Sequence, residues 1–204
     1  MSGKCTLVLF DFDGTITKRD TLLAFTKFVV GDTRFYFGML YLSLPLVLQK
    51  LGLLPAHQVK ELFLAHFFHG KRYTHFQDAC QKFSLQVLPD FIRQQALEAI
   101  DSYLQQNCQI VIVSASPQNW ITPWANQYGI DVIATKLEVK DDHITGKISG
   151  VNCNGYEKVK RIKEKFVLED YDAIIAYGDT KGDNPMLKLA TQRYFKPFRD
   201  IKKW

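Results

Sequence analysis

Two closely spaced aspartates follow a short apolar run near the start of the sequence. Residues 7–10 read Leu-Val-Leu-Phe, and Asp11 and Asp13 come next, with Gly14 and Thr15 directly after them. In a β-strand, residues i and i+2 point to the same side, so this spacing predicts that both carboxylates emerge together where a strand ends. Open α/β sheets bind their ligands at that end of the strands. Neighbouring carboxylates repel each other, which indicates a divalent cation, although an Asp-Gly turn would also explain the segment.

The order of strand and helix patterns predicts an α/β fold. Helical patterns separate apolar strand patterns at residues 6–10, 109–113, 131–134, 173–177 and 193–195. Such alternation produces a parallel sheet with right-handed crossover connections. We therefore predict a Rossmann-like parallel sheet core flanked by helices, with a small hairpin at residues 137–151.

A long helical stretch separates the first two strands. Residues 17–86 contain no strand pattern, and their helical patterns cover residues 21–30, 34–51, 57–68 and 73–87. We interpret residues 17–87 as an inserted α-helical cap domain, and residues 1–16 plus 88–204 as the α/β core domain. A cap placed beside the aspartates predicts closure over the site, with hinges near Thr17 and Val87.

Residues 35–48 of this stretch are almost wholly apolar. The segment is too short for a membrane span of about 20 residues, and Pro45 interrupts it. One interpretation is a helical pair buried in the cap. The other is a surface that meets lipid or a lipid-like substrate.

Composition limits the classes of partner. The chain has 26 Lys and Arg against 21 Asp and Glu, a net charge of +5, which suits an anionic ligand or weak attraction to anionic surfaces. Nucleic acid is not expected, because the sequence has no repeated aromatic and basic pattern of the kind that single-strand binders use. The four cysteines form no CxxC pair and no apolar signal region precedes Asp11, so we expect free thiols and a cytoplasmic protein.

Four polar features end predicted strands or open predicted helices. They are the 11–15 motif, Ser114, Lys158, and the 178–183 motif with Asp179 and Asp183. Singly, each has an ordinary explanation, such as a helix N-cap for Ser114 or a solvated helix position for Lys158. Together they supply what phosphoryl transfer requires: a nucleophilic carboxylate, a second carboxyl for proton transfer, oxygen ligands for Mg²⁺, and donors for phosphate oxygens.

The four motifs, in this order, resemble those of haloacid-dehalogenase-like hydrolases. The helical cap after the first motif is similar to that of the phosphoserine-phosphatase-like branch. The resemblance implies that Asp11 is the nucleophile and Asp13 the general acid and base. The implied phosphate-binding residues are Ser114, Ala115 and Lys158. The implied Mg²⁺ ligands are Asp11, Asp13 through its backbone carbonyl, and Asp179. Asp183 is implied either to bind the ion directly or to lie beside its ligands.

The predicted function is therefore magnesium-dependent hydrolysis of a small phosphorylated metabolite through an aspartyl phosphate. A carboxyl at Asp13 favours phosphomonoesters, because it can protonate an alkoxide leaving group. Asp20 lies where phosphoserine phosphatases carry a substrate-binding Glu, so Asp20 is a candidate substrate residue. The candidate cations of the cap are Arg34, Lys60, Lys71 and Arg72.

A lipid phosphate is the alternative substrate. Residues 20–25, Pro45, and the stretches 114–117 and 153–159 resemble those of bacterial phosphatidylglycerophosphatase C, a member of the same branch that acts on a lipid phosphate at the membrane. This similarity implies a lipid phosphate or membrane surface as partner, and a peripheral position on the inner face of the membrane.

Three other classes of function use similar residues. A phospho-acceptor domain of the receiver type is much shorter and has no helical insert after its acids. A partner-binding module on an inactive scaffold would not need the full motif set. A phosphotransferase that passes the phosphoryl group to an alcohol instead of water cannot be separated from a hydrolase by these residues.

Overall fold

The computed structural model describes residues 5–199, so the outermost ends of the predicted core, residues 1–4 and 200–204, lie outside the described residues. The strands are β1 (Thr6–Phe10), β2 (Gln109–Pro117), β3 (Asp131–Thr135), β4 (Leu137–Lys140), β5 (His143–Ile148), β6 (Ala173–Gly178) and β7 (Gln192–Phe195). Five of them form a parallel sheet in the order β3-β2-β1-β6-β7, and β4 pairs with β5 as an antiparallel hairpin. The predicted α/β fold with a parallel sheet is confirmed.

Strand β1 lies at the centre of the sheet because both of its faces are apolar. Val8 and Phe10 pack into the core cluster on one side, and Leu7 and Leu9 into the cluster on the other. All four side chains are completely buried. A strand that is covered on both faces reads as a continuous apolar run, which is why this segment was recognisable in the sequence. Its central position brings the residues after Phe10 to the middle of the sheet edge.

Helices cover the sheet and fill the stretch between β1 and β2. They are α1 (Thr21–Val30), α2 (Asp32–Tyr41), α3 (Ser43–Lys50), α4 (Ala56–Phe68), α5 (Tyr73–Gln86), α6 (Gln94–Gln105), α7 (Gln118–Ala125), α8 (Tyr156–Lys165) and α9 (Asn184–Leu187). We refer to α1–α5 as the cap helices. The division into a cap at 17–87 and a core at 1–16 plus 88–204 stays a prediction.

The helical pattern over residues 34–51 forms two helices, as the helical-pair interpretation expects. The chain breaks at Leu42, whose ψ angle is 1°, and the segment forms α2 and α3. Pro45 explains the break, because it has no N–H to donate and its ring would clash with the carbonyl of Tyr41. In α3, Pro45 instead lies in the first turn, where a missing N–H costs nothing.

The helical pair is present at residues 35–48, but the expectation that it is buried is wrong for most of its large side chains. Phe35 and Leu42 are buried, but Phe37, Leu40 and Tyr41 are at least 70% exposed. The cap helices therefore bury one side of the α2–α3 pair and leave the other side uncovered within the described chain.

The hairpin β4–β5 follows the core strand β3 but packs against the cap helix α4. The backbone N–H of Ile148 donates to Glu61 Oε1 at 2.9 Å, and Gly146 approaches so closely that a Cβ there would lie 2.3 Å from Ala65 Cα. Gly146 has φ = 83°, so a glycine is required for both reasons. The cap helices therefore contact the rest of the protein through this hairpin as well as through the two chain segments that lead into and out of the cap.

Candidate active site

Asp11 and Asp13 lie beyond the end of β1, in a tight turn. Strand β1 ends at Phe10, so the two aspartates follow its carboxyl end instead of lying within the strand. Both line the same cavity. Asp11 is buried and Asp13 is half-buried, and the two have different partners. Asp11 faces the sheet edge and the core helix α8, whereas Asp13 faces the start of α1 and the end of β2.

Asp11 is held by one cation and one hydroxyl. Lys158 Nζ lies 2.6 Å from Asp11 Oδ1, and Thr15 Oγ1 donates to Asp11 Oδ2 at 3.2 Å. Burial raises the pKa of Asp11 from about 3.8 to about 7, although the adjacent Lys158 opposes the shift. Without further positive charge, Asp11 is therefore a costly buried carboxylate.

Asp13 is oriented by hydrogen bonds from two elements. The backbone N–H of Thr21, at the start of α1, donates to Asp13 Oδ1 at 2.6 Å, and Ser116 Oγ donates to Asp13 Oδ2. Burial, with a smaller contribution from the charge of Asp20, raises the pKa of Asp13 to about 6. A carboxyl with this pKa can hold or release a proton near neutral pH.

Lys158 joins two acids inside the core. Its ammonium group donates to Asp11 Oδ1 and Asp183 Oδ1 at 2.6 Å each, and to the carbonyl of Val113 at 2.7 Å. Burial alone would lower the pKa of Lys158, but the charges of Asp11 and Asp183 outweigh burial and hold that pKa above its ordinary value. The solvated-helix explanation for Lys158 is therefore wrong, while its phosphate-binding role stays a prediction.

Asp11, Asp179 and Asp183 form a buried acidic cluster. One carboxylate oxygen from each lies within 4.8 Å of the others. Asp183 is fully occupied: Lys158 binds Oδ1, and Asp179 N, Thr180 N and Thr180 Oγ1 lie within 3.2 Å of Oδ2. Burial alone would raise the pKa of Asp183. The charge of Lys158 and these hydrogen bonds outweigh that effect and keep the pKa below its ordinary value.

Asp179 provides the uncompensated oxygen of the cluster. Its Oδ1 is buried and has no hydrogen-bond partner among the described residues, while Oδ2 lies 3.2 Å from Arg199. Burial, followed by the charge of Asp183, raises the pKa of Asp179. An orphaned carboxylate oxygen beside Asp11 fits a hard divalent cation such as Mg²⁺, which takes oxygen ligands. In this arrangement Asp11 and Asp179 offer ligand atoms, and Asp183 orients the loop.

Gly14 permits the close approach of the first and last motifs. Its φ is 79°, and a Cβ at this position would lie 2.3 Å from Asp179 Oδ2. We expect Gly14→Ala to destabilise the fold by about 1–2 kcal/mol through backbone strain and, in addition, to displace Asp179. Gly129→Ala is the matched control, because Gly129 has φ = 66° with no atom within 4 Å of such a Cβ.

The two glycine variants are compared by urea unfolding and Mg²⁺ titration. Both should lose stability, but Gly14→Ala alone should weaken Mg²⁺ binding, because only its new methyl group meets a carboxylate of the cluster. Equal Mg²⁺ affinity in the two variants would contradict the placement of Asp179 at the metal.

Ser114 and Ala115 lie at the carboxyl end of β2. Helix α7 begins after Pro117, so the N-cap explanation for Ser114 is wrong. Ser114 is buried, and its Oγ accepts a hydrogen bond from Ser116 N at 3.1 Å. Both residues line the cavity that contains Asp11 and Asp13. Their phosphate-binding role stays a prediction.

Lys60 is a cap residue whose contacts with the site were not predicted. From α4, its ammonium group donates to the carbonyl of Ala115 at 2.6 Å and to Asn152 Oδ1 at 2.9 Å. Burial lowers the pKa of Lys60 to about 8, although Asp13 and Asp20 oppose the shift. From the sequence, Lys60 was only one of four candidate cations in the cap. The other three do not line the catalytic cavity.

These side chains share a cavity of about 590 Å³ between the sheet edge and the cap helices. Its floor is lined by Asp11, Asp13, Asp183, Ser114 and Lys158. Its wall is apolar and includes Leu22, Met39, Leu46, Val59 and Phe63. Asp20 also lines the cavity, while its Oδ1 accepts from Leu23 N at 3.1 Å and so caps helix α1. Its role toward substrate stays a prediction.

The same combination of fold and motifs is found in known proteins. The family model of haloacid dehalogenase-like hydrolases matches residues 8–188, a range that includes every predicted site residue. The chain belongs to this family. The predicted family is thereby confirmed, and the site described above is the candidate active site of a haloacid dehalogenase-like hydrolase.

Individual relatives of this hydrolase cover most of its length. Protein CicA of Caulobacter vibrioides is 35% identical over 199 residues, which are 95% of this chain and 86% of CicA. A Bordetella pertussis protein of unknown function has a similar structure, with a TM-score of 0.80, 24% identity, and coverage of 93% of this chain and 89% of that one. A substrate-bound phosphoserine phosphatase complex gives a TM-score of 0.65 at 21% identity, covering 95% and 87%.

Proposed function

We propose that this hydrolase is a magnesium-dependent phosphomonoesterase that transfers the phosphoryl group first to Asp11 and then to water. The observation that carries the proposal is the separation of Asp11 and Asp13 into two environments. Asp11 lies in the acidic cluster beside Lys158, whereas Asp13 is held outside that cluster by Thr21 and Ser116. Two carboxyls in different surroundings can divide nucleophilic and proton-transfer roles between them. The fold it shares with a phosphoserine phosphatase supports the phosphomonoester class.

In the first half-reaction, a carboxylate oxygen of Asp11 attacks phosphorus and the bond from phosphorus to the leaving oxygen breaks. Asp13 in its acid form donates its proton to that oxygen. In the second half-reaction, ionised Asp13 takes a proton from water, the water oxygen attacks phosphorus, and the bond to Asp11 breaks. Inorganic phosphate leaves, and Asp13 is again protonated.

Donors around the cavity would hold the phosphate oxygens. Ser114 and Lys158 line the cavity beside Asp11, and Lys60 fixes the carbonyl of Ala115 from the cap side. Asp11 and Asp179 would hold Mg²⁺, with Asp183 orienting the loop behind them. When bound, Mg²⁺ neutralises the clustered carboxylates and the negative charge of the phosphate. The raised pKa values of Asp11 and Asp179 indicate that the metal-free cluster lacks this positive charge.

Phosphate release from p-nitrophenyl phosphate tests the proposal. We expect turnover with Mg²⁺ and none with excess chelator. Asp179→Asn should raise the Mg²⁺ concentration for half-maximal activity by about 10- to 100-fold, because it weakens a ligand of the metal. The control is Asp90→Asn, which removes an exposed acid in the turn before α6 and should leave the titration unchanged. Chelator-resistant turnover would contradict the metal dependence, and absence of turnover from every phosphomonoester would favour a non-enzymatic phospho-acceptor.

A further inference from the structure

One face of the α2–α3 pair is apolar and exposed. We define the apolar cap surface as Phe37, Leu40, Tyr41, Leu44, Val47 and Leu51, whose exposed fractions range from 51% to 73%. Phe37, Leu40 and Tyr41 share a face of α2 by their i, i+3, i+4 spacing, and Leu44 and Val47 share a face of α3. Contiguous apolar surface of this kind marks an interaction site.

The charge around the apolar cap surface is positive. From residue 33 to residue 59 the sequence contains Arg34 and Lys50 but no acidic residue. The nearest acid before this stretch, Asp32, is paired with Lys27 at 3.3 Å. Apolar side chains flanked by cations match a bilayer with anionic head groups better than they match another protein surface of unspecified charge.

A groove beside the apolar cap surface reinforces this match. Its volume is about 410 Å³, and Arg34, Lys71 and His66 line it together with the aromatic rings of Phe37 and Tyr41. No acid lines the groove, and neither Arg34 nor Lys71 forms an ion pair with any residue between 5 and 199. If the exposed aromatic rings entered the lipid, these unpaired cations would lie at the level of the head groups, where they could bind an anionic one.

The opposite side of the same helix pair lines the catalytic cavity. Met39 of α2 and Leu46 of α3 contribute to its apolar wall, and each directly precedes an exposed residue, Leu40 and Val47 respectively. The α2–α3 pair therefore separates the apolar cap surface from the cavity by the thickness of one helix layer. A substrate with an apolar portion would contact this wall while its phosphate reached Asp11.

We propose that the apolar cap surface docks on an anionic membrane and that the substrate is the phosphomonoester of a lipid. Among the described helices none is long and apolar enough to cross a membrane. The substrate half of the proposal rests on the phosphomonoesterase function proposed above. The docking half does not depend on that function.

Flotation with lipid vesicles tests the docking half. The vesicles contain phosphatidylcholine with about one third phosphatidylglycerol, which supplies the anionic surface. We expect the wild type to float with them and Leu40→Glu/Leu44→Glu to lose binding by about tenfold or more, because both new charges would enter the lipid interface. The control, Leu85→Glu/Val167→Glu, adds the same charge at exposed apolar positions outside the apolar cap surface and should bind as the wild type does.

Hydrolysis by the same three proteins tests the substrate half. With phosphatidic acid in the vesicles, the Leu40→Glu/Leu44→Glu variant should lose about tenfold or more of the wild-type rate, in parallel with binding. Hydrolysis of soluble p-nitrophenyl phosphate should stay unchanged, since Leu40 and Leu44 do not line the catalytic cavity.

Each contrary outcome identifies which half is wrong. Wild type that stays unbound, or a variant that binds as the wild type does, overturns docking. A wild-type dimer that Leu40→Glu/Leu44→Glu dissociates, without vesicle binding, makes the surface a subunit interface instead. Vesicle binding with hydrolysis of p-nitrophenyl phosphate but not phosphatidic acid overturns the lipid substrate. Vesicle binding without hydrolysis of either ester means that the phosphomonoesterase function itself has failed while docking stands.

Discussion

Asp11→Asn is expected to abolish turnover and to prevent phosphate from becoming attached to the protein. An amide is not a nucleophile toward phosphorus, and the substitution leaves the surrounding side chains nearly unchanged in shape. We expect the rate of phosphate release from p-nitrophenyl phosphate to fall by at least about 10⁴-fold, as for other nucleophile substitutions. Rates are measured with saturating Mg²⁺ on purified protein.

The structure indicates that this variant folds. Lys158 keeps its ion pair with Asp183 and its bond to the carbonyl of Val113 when Asp11 loses its charge. Burial penalises ionised Asp11, so replacing it removes a costly group from the metal-free protein. Thermal unfolding verifies folding, and Asp90→Asn again serves as the control with full activity. Normal magnesium-dependent turnover by folded Asp11→Asn protein would refute Asp11 as the nucleophile.

Asp13→Asn is expected to separate the two half-reactions. p-Nitrophenol is a good leaving group that does not need a proton, so Asp11 should still accept the phosphoryl group. Hydrolysis of the phosphorylated protein requires a base for water, and its rate should fall by about 10²- to 10⁴-fold. Rapid mixing should then show one burst of p-nitrophenol per active site, followed by slow turnover. A fast steady state without a burst would contradict the role of Asp13.

The pH dependence of turnover follows from the pKa of Asp13, which burial raises to about 6. The base must be ionised, so hydrolysis of the phosphorylated wild type should rise with pH through about 6 and then level off. This rise should be absent in Asp13→Asn. The free energy of unfolding should change with pH in the opposite direction. Because the folded protein binds the Asp13 proton more tightly than the unfolded chain does, the contribution of Asp13 to stability is lost as pH rises through about 6.

Structural features that depend on neighbouring residues in the sequence were predictable. Helix α1 was predicted with its observed bounds, 21–30, because Asp20 supplies a capping oxygen and Gly31 ends the helix. The central strand was predicted because a run buried on both faces has a distinctive composition. The break at Leu42 was also readable, since Pro45 marks it four residues after Tyr41.

Long-range contacts were not predictable from one sequence. Lys60 reaches the carbonyl of Ala115 across 55 residues of sequence, and Ser116 reaches Asp13 across 103, so no local pattern signals either contact. The sequence left both burial and exposure open for Leu40 and Leu44 for a related reason. An apolar run favours burial only if a partner covers it, and none of the described residues covers this face of α2–α3.

The intact mass of Asp13→Asn protein after reaction with p-nitrophenyl phosphate and Mg²⁺ tests the central claim most directly. Slow hydrolysis in this variant should let the intermediate accumulate, and peptide mapping locates the modified side chain. The proposal predicts one phosphoryl group on Asp11, removed by hydroxylamine as expected for an acyl phosphate, and none on the Asp11→Asn/Asp13→Asn double variant. Wild-type turnover with the phosphoryl group on another residue would contradict the mechanism, and so would its absence from the Asp13→Asn protein despite a p-nitrophenol burst.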